Sequence, residues 1–280
     1  MKIATNENNL HLSISQDDLH IVNTLDCGQC FRWRKQEDNK MTGVVFDRVL
    51  TLKQTDDEVI FYNTTIKEFN DIWKAYFDLD TDYQSIKKRL MCDQPLKASI
   101  EYAKGLRILK QDSFEALCSF IISQNNNIPR IKSTIEKLCE RYGNQLSETV
   151  YAFPTASVLS QLEKKDLQGL SLGYRDEYLL DCAKKVQSGQ IKLEQVGSLP
   201  IDEARAELRT IKGVGPKVAE CALLFGFYKV EAFPIDTWIK KVLSYYYTDG
   251  FPKEFSEIAG IAQQYLFHYI RTSPQAPKIG

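Results

Sequence analysis

The chain has 280 residues, of which 43% are hydrophobic and 26% charged, and this length suffices for two or three compact subdomains with their own cores. No apolar run approaches the roughly 20 residues that cross a bilayer, and the N-terminus lacks the apolar core of a signal peptide. The seven cysteines are scattered along the chain, which is typical of reduced thiols. We therefore expect a cytoplasmic protein without a membrane partner. The net charge of −1 argues only weakly against a nucleic-acid partner, because basic residues can cluster on one face.

Short runs rich in β-branched and aromatic residues, separated by polar turns, begin the chain and predict strands. From about Ile66 onward the apolar spacing becomes helical. The sequence therefore predicts an α+β protein, with an antiparallel β-rich subdomain at 1–90, a mostly α-helical body at 91–271 and a flexible tail at 272–280. The predicted strand runs are 20–25, 30–33, 42–46, 48–52 and 59–62.

The helical body contains a series of segments with an apolar stripe on one face. Ser113 is the predicted N-cap of the first segment, and Gly143 ends the second. A short glycine-rich turn joins two of the later segments into a helix-hairpin-helix at 202–228. The predicted helices are 113–124, 131–142, 176–187, 202–209, 217–227, 237–246 and 254–270.

The hairpin segment Leu208–Ala219 has the sequence L-x-x-I-x-G-V-G-P-K-V-A. Gly213 and Gly215 predict a turn with exposed backbone N–H groups, and Pro216 suits the first position of the following helix. Exposed amides at the positive end of a helix dipole bind phosphate well. The segment therefore predicts a binding site for the DNA backbone.

Two side chains near the hairpin add chemistry to this binding site. Lys217 lies in the first turn of the second helix, where the dipole disfavours its protonated form and favours a nucleophilic amine. A surface lysine that only contacts phosphate is the alternative. Asp236 is a predicted N-cap, and its carboxylate can also stabilise positive charge at a sugar C1′ as a base departs. The pair predicts cleavage of a glycosidic bond without a metal or a cofactor.

The hairpin and Asp236 resemble the helix-hairpin-helix DNA glycosylase superfamily, and four further segments resemble its 8-oxoguanine DNA glycosylases over nearly the whole chain. This resemblance implies a TATA-binding-protein-like N-terminal subdomain, with Lys217 as nucleophile. It implies a monomeric repair enzyme that flips 8-oxoguanine out of duplex DNA, excises it and nicks the strand by β-elimination. The four segments are LDCGQCFRW (Leu25–Trp33), FIISQNNNIPR (Phe120–Arg130), LGYR (Leu172–Arg175) and AGIAQQYLF (Ala259–Phe267).

The resemblance also assigns a pocket for the flipped base. In 8-oxoguanine N7 carries a hydrogen, whereas N7 of guanine is an acceptor, and the backbone carbonyl of Gly28 would accept that hydrogen. Phe267 would stack on the base, Gln263 would contact its Watson–Crick edge, and Cys221 would cover its other face. Without the resemblance, Gly28 is equally well a hairpin glycine, and Phe267 and Cys221 are core residues.

A second group of residues is assigned to the opposite strand. Asn125 and Arg130 would contact the orphaned base, with Tyr174 inserted into the gap and Arg175 beside it. In the family this pair of arginines favours cytosine opposite the lesion. Trp238 departs from the family pattern, because many relatives carry a histidine there that contacts phosphate, and tryptophan cannot make that ionic contact.

Metal signals are weak in this sequence. The Cys27-x-x-Cys30 pair has no second pair to complete a zinc site. The three histidines, His11, His20 and His268, show no ligand spacing. The four closely spaced cysteines of iron–sulfur relatives are also missing after the hairpin, so we expect neither a metal nor a cofactor.

Two alternative functions remain open. An alkylated-base DNA glycosylase can also combine a β-rich subdomain with this hairpin, but such enzymes use the aspartate without a lysine nucleophile, so Lys217 argues against it. A non-catalytic hairpin module would only bind DNA backbones, and it would leave Asp236 without a purpose. Release of 8-oxoguanine from a duplex would argue against both alternatives, whereas duplex binding that ignores the lesion, with no base release, would favour the non-catalytic module.

Overall fold

The structure, a computed structural model, describes residues 2–6 and 8–278, so the last two residues of the predicted tail lie outside the described residues. Strands near the N-terminus form one antiparallel sheet, and a two-stranded ribbon lies within the helical body. The strands are β1 (Lys2–Asn6), β2 (Asn9–Ser13), β3 (Trp33–Lys35), β4 (Lys40–Val45), β5 (Arg48–Gln54), β6 (Glu58–Phe61), β7 (Gln145–Ser147) and β8 (Val150–Tyr151).

The sheet has the strand order β1-β2-β6-β5-β4-β3 and buries one face. Its register places Leu10 opposite Phe61 and Leu12 opposite Val59, and all four side chains are buried. Because side chains alternate between the two faces of a strand, this register directs one apolar set toward a single core. The ring of Phe69 closes that core, and its centroid lies 5.3 Å from the centroid of the Phe61 ring.

The helices contribute to two cores, since those before Tyr83 pack against the sheet and those from Tyr83 onward build a second, larger core. Within the described residues none of them has the length and apolar character needed to cross a membrane. They are α1 (Ile21–Leu25), α2 (Ile66–Glu68), α3 (Lys74–Tyr76), α4 (Tyr83–Leu90), α5 (Gln94–Tyr102), α6 (Ser113–Ile122), α7 (Ile128–Tyr142), α8 (Ala156–Ser160), α9 (Arg175–Gln187), α10 (Leu193–Ser198), α11 (Ile201–Leu208), α12 (Pro216–Gly226), α13 (Thr237–Tyr246) and α14 (Ala259–Thr272). A π-helical turn (Phe69–Trp73) joins α2 to α3, and a 3₁₀ helix (Lys253–Ile258) precedes α14.

The predicted α+β class is confirmed, and the predicted helices agree with the observed ones to within a few residues. The predicted cap of α6 is wrong by one position, because the side chain of Asp112, not Ser113, accepts the N–H of Glu115 at 2.7 Å. Of the predicted strands, three correspond to β4, β5 and β6, whereas the run at 30–33 contributes only its last residue to β3. Strands β1 and β2 were not predicted.

The prediction of a strand at 20–25 is wrong, since this segment forms the short helix α1. The run contains β-branched residues, which favour strands. However, Ile21, Thr24 and Leu25 have the i, i+3, i+4 spacing of one helix face, and all three are buried. The side chain of His20 also caps the first turn, so burial and capping outweigh the intrinsic preference.

The loop between α1 and β3 is held between the sheet and the helical body. The buried Gln29 side chain donates to the carbonyl of Arg107 at 2.7 Å, and its Oε1 accepts the N–H of Leu109 at 2.9 Å. On the other side, Gln264 of α14 donates to the carbonyl of Cys27 at 3.0 Å. These bonds fix the backbone on both sides of Gly28.

Candidate active site

A cleft of about 440 Å³ opens where the loop around Gly28 meets the beginnings of α12 and α13 and the last turns of α14. Four of the predicted site residues line it together: Lys217, Asp236, Gly28 and Phe267. The cleft is therefore assembled from segments distant in sequence, and it contains both predicted catalytic groups and part of the predicted base pocket.

The two candidate catalytic groups lie at the first turns of neighbouring helices. Asp236 is the N-cap of α13, where its Oδ1 accepts the N–H of Ile239 at 2.8 Å. Lys217 is the second residue of α12, which Pro216 begins, and its Nζ lies 5.7 Å from the centroid of the Phe120 ring. Capping thus holds the carboxylate at the cleft, while the aromatic ring limits where the lysine can extend.

Cys221 lies one turn after Lys217 on α12 and is buried, although it is not one of the residues that line the cleft. Burial raises the pKa of its thiol to about 11, while the Lys217 ammonium acts in the opposite direction and the Asp236 carboxylate raises it further. The thiol is therefore neutral at physiological pH. The thiol interacts electrostatically with both Lys217 and Asp236 and therefore lies close to them.

Gln263 is also buried behind the cleft, where its Nε2 donates to the carbonyl of Pro234 at 3.1 Å. Its Oε1 is buried and accepts no hydrogen bond from any part of the chain that the structure describes. Because an unpaired buried acceptor is costly, this oxygen suits a donor brought in by a ligand.

Gly28 adopts a φ of +88°, which side chains rarely tolerate, and it approaches the cleft closely. A Cβ atom placed there would lie 3.3 Å from Cε1 of Phe267 and 3.1 Å from Nη1 of Arg271. Glycine therefore serves two purposes at this position, because it allows the turn and leaves the backbone open to the cleft.

The residues predicted to contact the opposite strand lie beside the cleft. Asn125 has a φ of +45° and donates from Nδ2 to the hydroxyl of Tyr174 at 3.0 Å. Tyr174 is 47% exposed, and Arg130 is exposed on α7. Insertion into a base stack requires an exposed aromatic ring that is held in place. Tyr174 is exposed, and the hydrogen bond from Asn125 holds its hydroxyl.

Arg175 differs from the other three because its guanidinium is buried and already bonded. It donates from Nη1 to the carbonyl of Leu172 at 3.0 Å and from Nη2 to the carbonyl of Asn125 at 3.1 Å. It also bonds the carbonyl of Gln124 and lies 4.6 Å from the ring of Tyr174. In this structure Arg175 thus joins the loop of Asn125 to the loop of Tyr174.

The two hairpin glycines have different surroundings. Gly213 has a φ of +77°, and a Cβ there would lie 2.2 Å from a ring carbon of Tyr178. At Gly215 a Cβ would meet nothing within 4 Å. The N-cap of α12 is Gly215, which has no side chain to bond the first-turn amides, so these amides suit a ligand at this open position.

Trp238 and Arg271 are among the cleft residues that were not assigned to the base pocket from the sequence. Trp238, 36% exposed, lines the cleft, with Nζ of Lys241 lying 5.4 Å from its ring centroid. Arg271 also lines the cleft, one helical turn beyond Phe267 on the same face of α14. That four-residue spacing was the available signal for Arg271, whereas Trp238 stood out only as a departure from the family pattern.

The described residues contain no cluster of three or more His, Cys, Asp or Glu side chains that could hold a metal ion. Cys27 and Cys30 are buried free thiols. Burial raises the pKa of Cys27 to about 11 and that of Cys30 as well.

The fold and the cleft define a helix-hairpin-helix protein of base excision DNA repair. Residues 118–259 match the family model of the HhH-GPD superfamily base excision DNA repair proteins. Residues 11–117 match the N-terminal domain of 8-oxoguanine DNA glycosylases. The chain therefore belongs to the 8-oxoguanine DNA glycosylase family of that superfamily.

Individual relatives agree with this family. A probable N-glycosylase/DNA lyase of Methanothermobacter thermautotrophicus is 30% identical over 72% of this chain and 73% of its own length. A Clostridium acetobutylicum 8-oxoguanine glycosylase/lyase, solved with double-stranded DNA containing cytosine opposite 8-oxoguanine, is 38% identical, with a TM-score of 0.91 over 97% of this chain and 98% of that one. The fold is shared by a 3-methyladenine DNA glycosylase of Archaeoglobus fulgidus. That protein is 18% identical, with a TM-score of 0.71 over 96% of this chain and 99% of that one.

Proposed function

We propose that this protein excises 8-oxoguanine from duplex DNA in base excision repair and then cleaves the strand at the resulting abasic site. The observation that carries the proposal is the cleft in which Lys217 and Asp236 face Gly28 and Phe267. Base excision and strand cleavage are both supported by the family membership and by relatives whose names combine N-glycosylase with DNA lyase. We propose that the protein acts in the cytoplasm, where it binds its DNA substrate.

The cleft suits a purine that has left the base stack. We propose that Phe267 stacks on the base and that the carbonyl of Gly28 accepts the N7–H that only the lesion carries. The unpartnered Oε1 of Gln263 would accept from the Watson–Crick edge, and the neutral thiol of Cys221 would lie beyond the other face. Guanine would instead direct its N7 lone pair at the Gly28 carbonyl, which is repulsive.

Lys217 would act as the nucleophile in its deprotonated form. Its Nζ forms a bond to C1′ while the bond from C1′ to N9 breaks, and the base leaves with the electron pair and takes up a proton. Asp236 stabilises the positive charge on the sugar during this step. The attached nitrogen then loses a proton and forms an imine with C1′ as the C1′–O4′ bond breaks and O4′ takes up a proton. Loss of a C2′ proton then breaks the C3′–O bond and nicks the strand.

We propose that the remaining residues hold the opposite strand and the backbone. Tyr174 would fill the gap that the base leaves, with Asn125 and Arg130 contacting the orphaned base and preferring cytosine. Arg175 would support them by joining their loops. The first-turn amides beside Gly213 and Gly215 would bind a phosphate.

Borohydride trapping tests the role of Lys217 directly, because it reduces the imine to a stable protein–DNA adduct. We expect the wild type to form this adduct with 8-oxoguanine:cytosine duplexes and Lys217→Gln to form none. Lys67→Gln is the matched control, since Lys67 is 85% exposed in a surface ion pair remote from the cleft. An undiminished adduct in Lys217→Gln would refute the nucleophile. Release of alkylated bases but not 8-oxoguanine would favour the alkylated-base alternative.

A further inference from the structure

Three side chains of α14 form one stripe along the cleft. Gln263, Phe267 and Arg271 are spaced four residues apart, so they lie one above another on the same helix face. The guanidinium carbon of Arg271 lies 5.1 Å from the ring centroid of Phe267. The stripe thus presents an amide, an aromatic ring and a cation in succession.

Both ends of this stripe carry a buried polar atom without a partner. Nη1 of Arg271 is buried and donates to no acceptor among residues 2–6 and 8–278, and the same is true of Oε1 of Gln263 as an acceptor. A buried guanidinium N–H that donates to nothing is costly, so its retention beside a cleft indicates an acceptor supplied by the ligand. Nη1 also lies 3.1 Å from the position of a Cβ on Gly28, which places it at the edge of the base that Gly28 contacts.

We propose that Arg271 is a further recognition and catalytic residue, whose Nη1 donates a hydrogen bond to O8 of the extruded 8-oxoguanine. Its role rests on the proposed excision of that base. N7–H is flanked by O6 and O8, and O6 adjoins the Watson–Crick edge assigned to Gln263. Gln263 and Arg271 are separated by eight residues, or about 12 Å along the helix, so Arg271 lies toward the O8 side.

The same contact would help the base to leave. When the bond from C1′ to N9 breaks, the electron pair passes to N9 and is shared through C8 with O8. Negative charge on O8 therefore grows as the transition state is approached. A fixed cation beside O8 attracts this charge more strongly in the transition state than in the substrate, which accelerates the step. Arg271 remains protonated throughout, and the released base takes its proton at N9 from solvent.

This role separates the two activities of the protein. Base excision needs Arg271, whereas β-elimination at a preformed abasic site does not, because no base is present there. We expect Arg271→Met to slow single-turnover excision about 10- to 100-fold and to leave nicking of an abasic-site:cytosine duplex within about twofold. Arg271→Lys, which keeps the charge, should lose less than Arg271→Met.

Controls distinguish this role from a structural one. Arg48→Met removes an arginine that is 47% exposed in the sheet and should change neither rate. Equal loss of excision and of abasic-site nicking in Arg271→Met would show that the residue supports the fold or DNA binding. Equal loss in Arg271→Met and Arg271→Lys would contradict charge stabilisation. Unchanged excision would show that Arg271 does not contact the base, whereas failure of the wild type to excise would refute the proposed function itself.

A substrate change tests the contact atom. 8-Thioguanine keeps the N7–H but replaces O8 with sulfur, a weaker acceptor. The rate ratio of wild type to Arg271→Met should therefore be smaller with 8-thioguanine than with 8-oxoguanine, and taking ratios cancels the different leaving tendencies of the two bases. An equal ratio for both bases would place Arg271 away from O8.

Discussion

Asp236 has two roles that one substitution can separate. Its Oδ1 caps α13, and its charge faces the cleft beside Lys217. Asparagine caps a helix about as well as aspartate, so Asp236→Asn should change the free energy of unfolding by less than about 0.5 kcal/mol. Loss of the carboxylate should slow excision about 100-fold or more, because charge stabilisation in the transition state is lost.

Single-turnover assays and urea unfolding measure these two effects separately. Asp82→Asn is the matched control, because Asp82 caps α4 in the same way, through the N–H of Ser85 at 3.1 Å, but is exposed and does not line the cleft. It should leave excision unchanged. If Asp236→Asn kept the wild-type rate of excision, capping alone would explain the residue.

The sequence could indicate Lys217 and Asp236 because their functions leave local patterns: a glycine hairpin before one and a helix start at the other. Arg271 leaves a weaker signal, because its four-residue spacing from Phe267 places it on the same helix face but indicates no function. An arginine in the last turn of a helix is ordinarily a solvated charge that complements the dipole. Its Nη1 is buried where α14 packs against the loop of Gly28, and that contact joins residues far apart in the chain.

At the scale of elements, the hairpin is joined to the loop of Tyr174. The ring of Tyr178 packs against Gly213 on one side and lies edge-on to the ring of Tyr174, at 5.6 Å between centroids, on the other. The turn proposed to bind phosphate and the aromatic side chain proposed to insert into the duplex are therefore positioned by one shared ring. A change at the hairpin can displace both.

The two hairpin glycines should accordingly respond differently to alanine. Gly213→Ala forces a positive φ on alanine and a clash with Tyr178, so it should lower the free energy of unfolding by about 2 kcal/mol or more. Gly215→Ala should leave stability nearly unchanged, since its Cβ would meet only open space. We expect it instead to weaken duplex binding several-fold by occupying the position of the phosphate.

Thermal unfolding and fluorescence-anisotropy titrations with an abasic duplex provide the measurements. Gly250→Ala is a useful comparison, because Gly250 shares a positive φ, of +95°, but a Cβ on this residue would meet no atom within 4 Å. It isolates the backbone strain from the clash. Loss of stability in Gly215→Ala equal to that in Gly213→Ala would contradict an open phosphate position.

Element prediction from the sequence succeeded where one periodicity dominated. The stripe of α7 and the alternation in β5 each follow from a single buried face. In α1 the β-branched composition and the helical spacing disagreed, and the tertiary burial of Ile21, Thr24 and Leu25 together with the His20 cap decides between them. The predicted boundary at residue 90 stays a prediction: Tyr83 already packs in the helical core, and Leu109 packs in the sheet core.

At the scale of the molecule, the cleft depends on contact between the sheet region and the helical body. Gly28 belongs to the loop that leads into the sheet, whereas Lys217, Asp236 and Phe267 belong to the body. The buried Gln29 joins the two through backbone groups. Such contacts between distant segments cannot be derived from local sequence, which is why the family resemblance was needed to group these residues.

A half-buried carboxyl at the same junction makes stability depend on pH. Burial raises the pKa of Glu115, in the first turn of α6, to about 7, although the guanidinium of Arg32 acts in the opposite direction. Between the ordinary pKa of 4.5 and this value the folded protein binds more protons than the unfolded chain. The stabilising contribution of the protonated form is thus complete below about 4.5 and is lost as the pH rises through 7.

Glu115→Gln should therefore stabilise the protein at alkaline pH. The difference in free energy of unfolding from wild type should be constant below pH 4.5, grow in favour of the variant between 4.5 and 7, and level off after a gain of about 1–3 kcal/mol. Burial lowers the pKa of His268 to about 4, but that titration occurs in both proteins and cancels in the difference. Urea unfolding from pH 4 to 8.5 measures the curve, and Glu148→Gln, an exposed loop glutamate, should give a flat one. A flat curve for Glu115→Gln as well would show that the carboxyl remains hydrated in the folded protein.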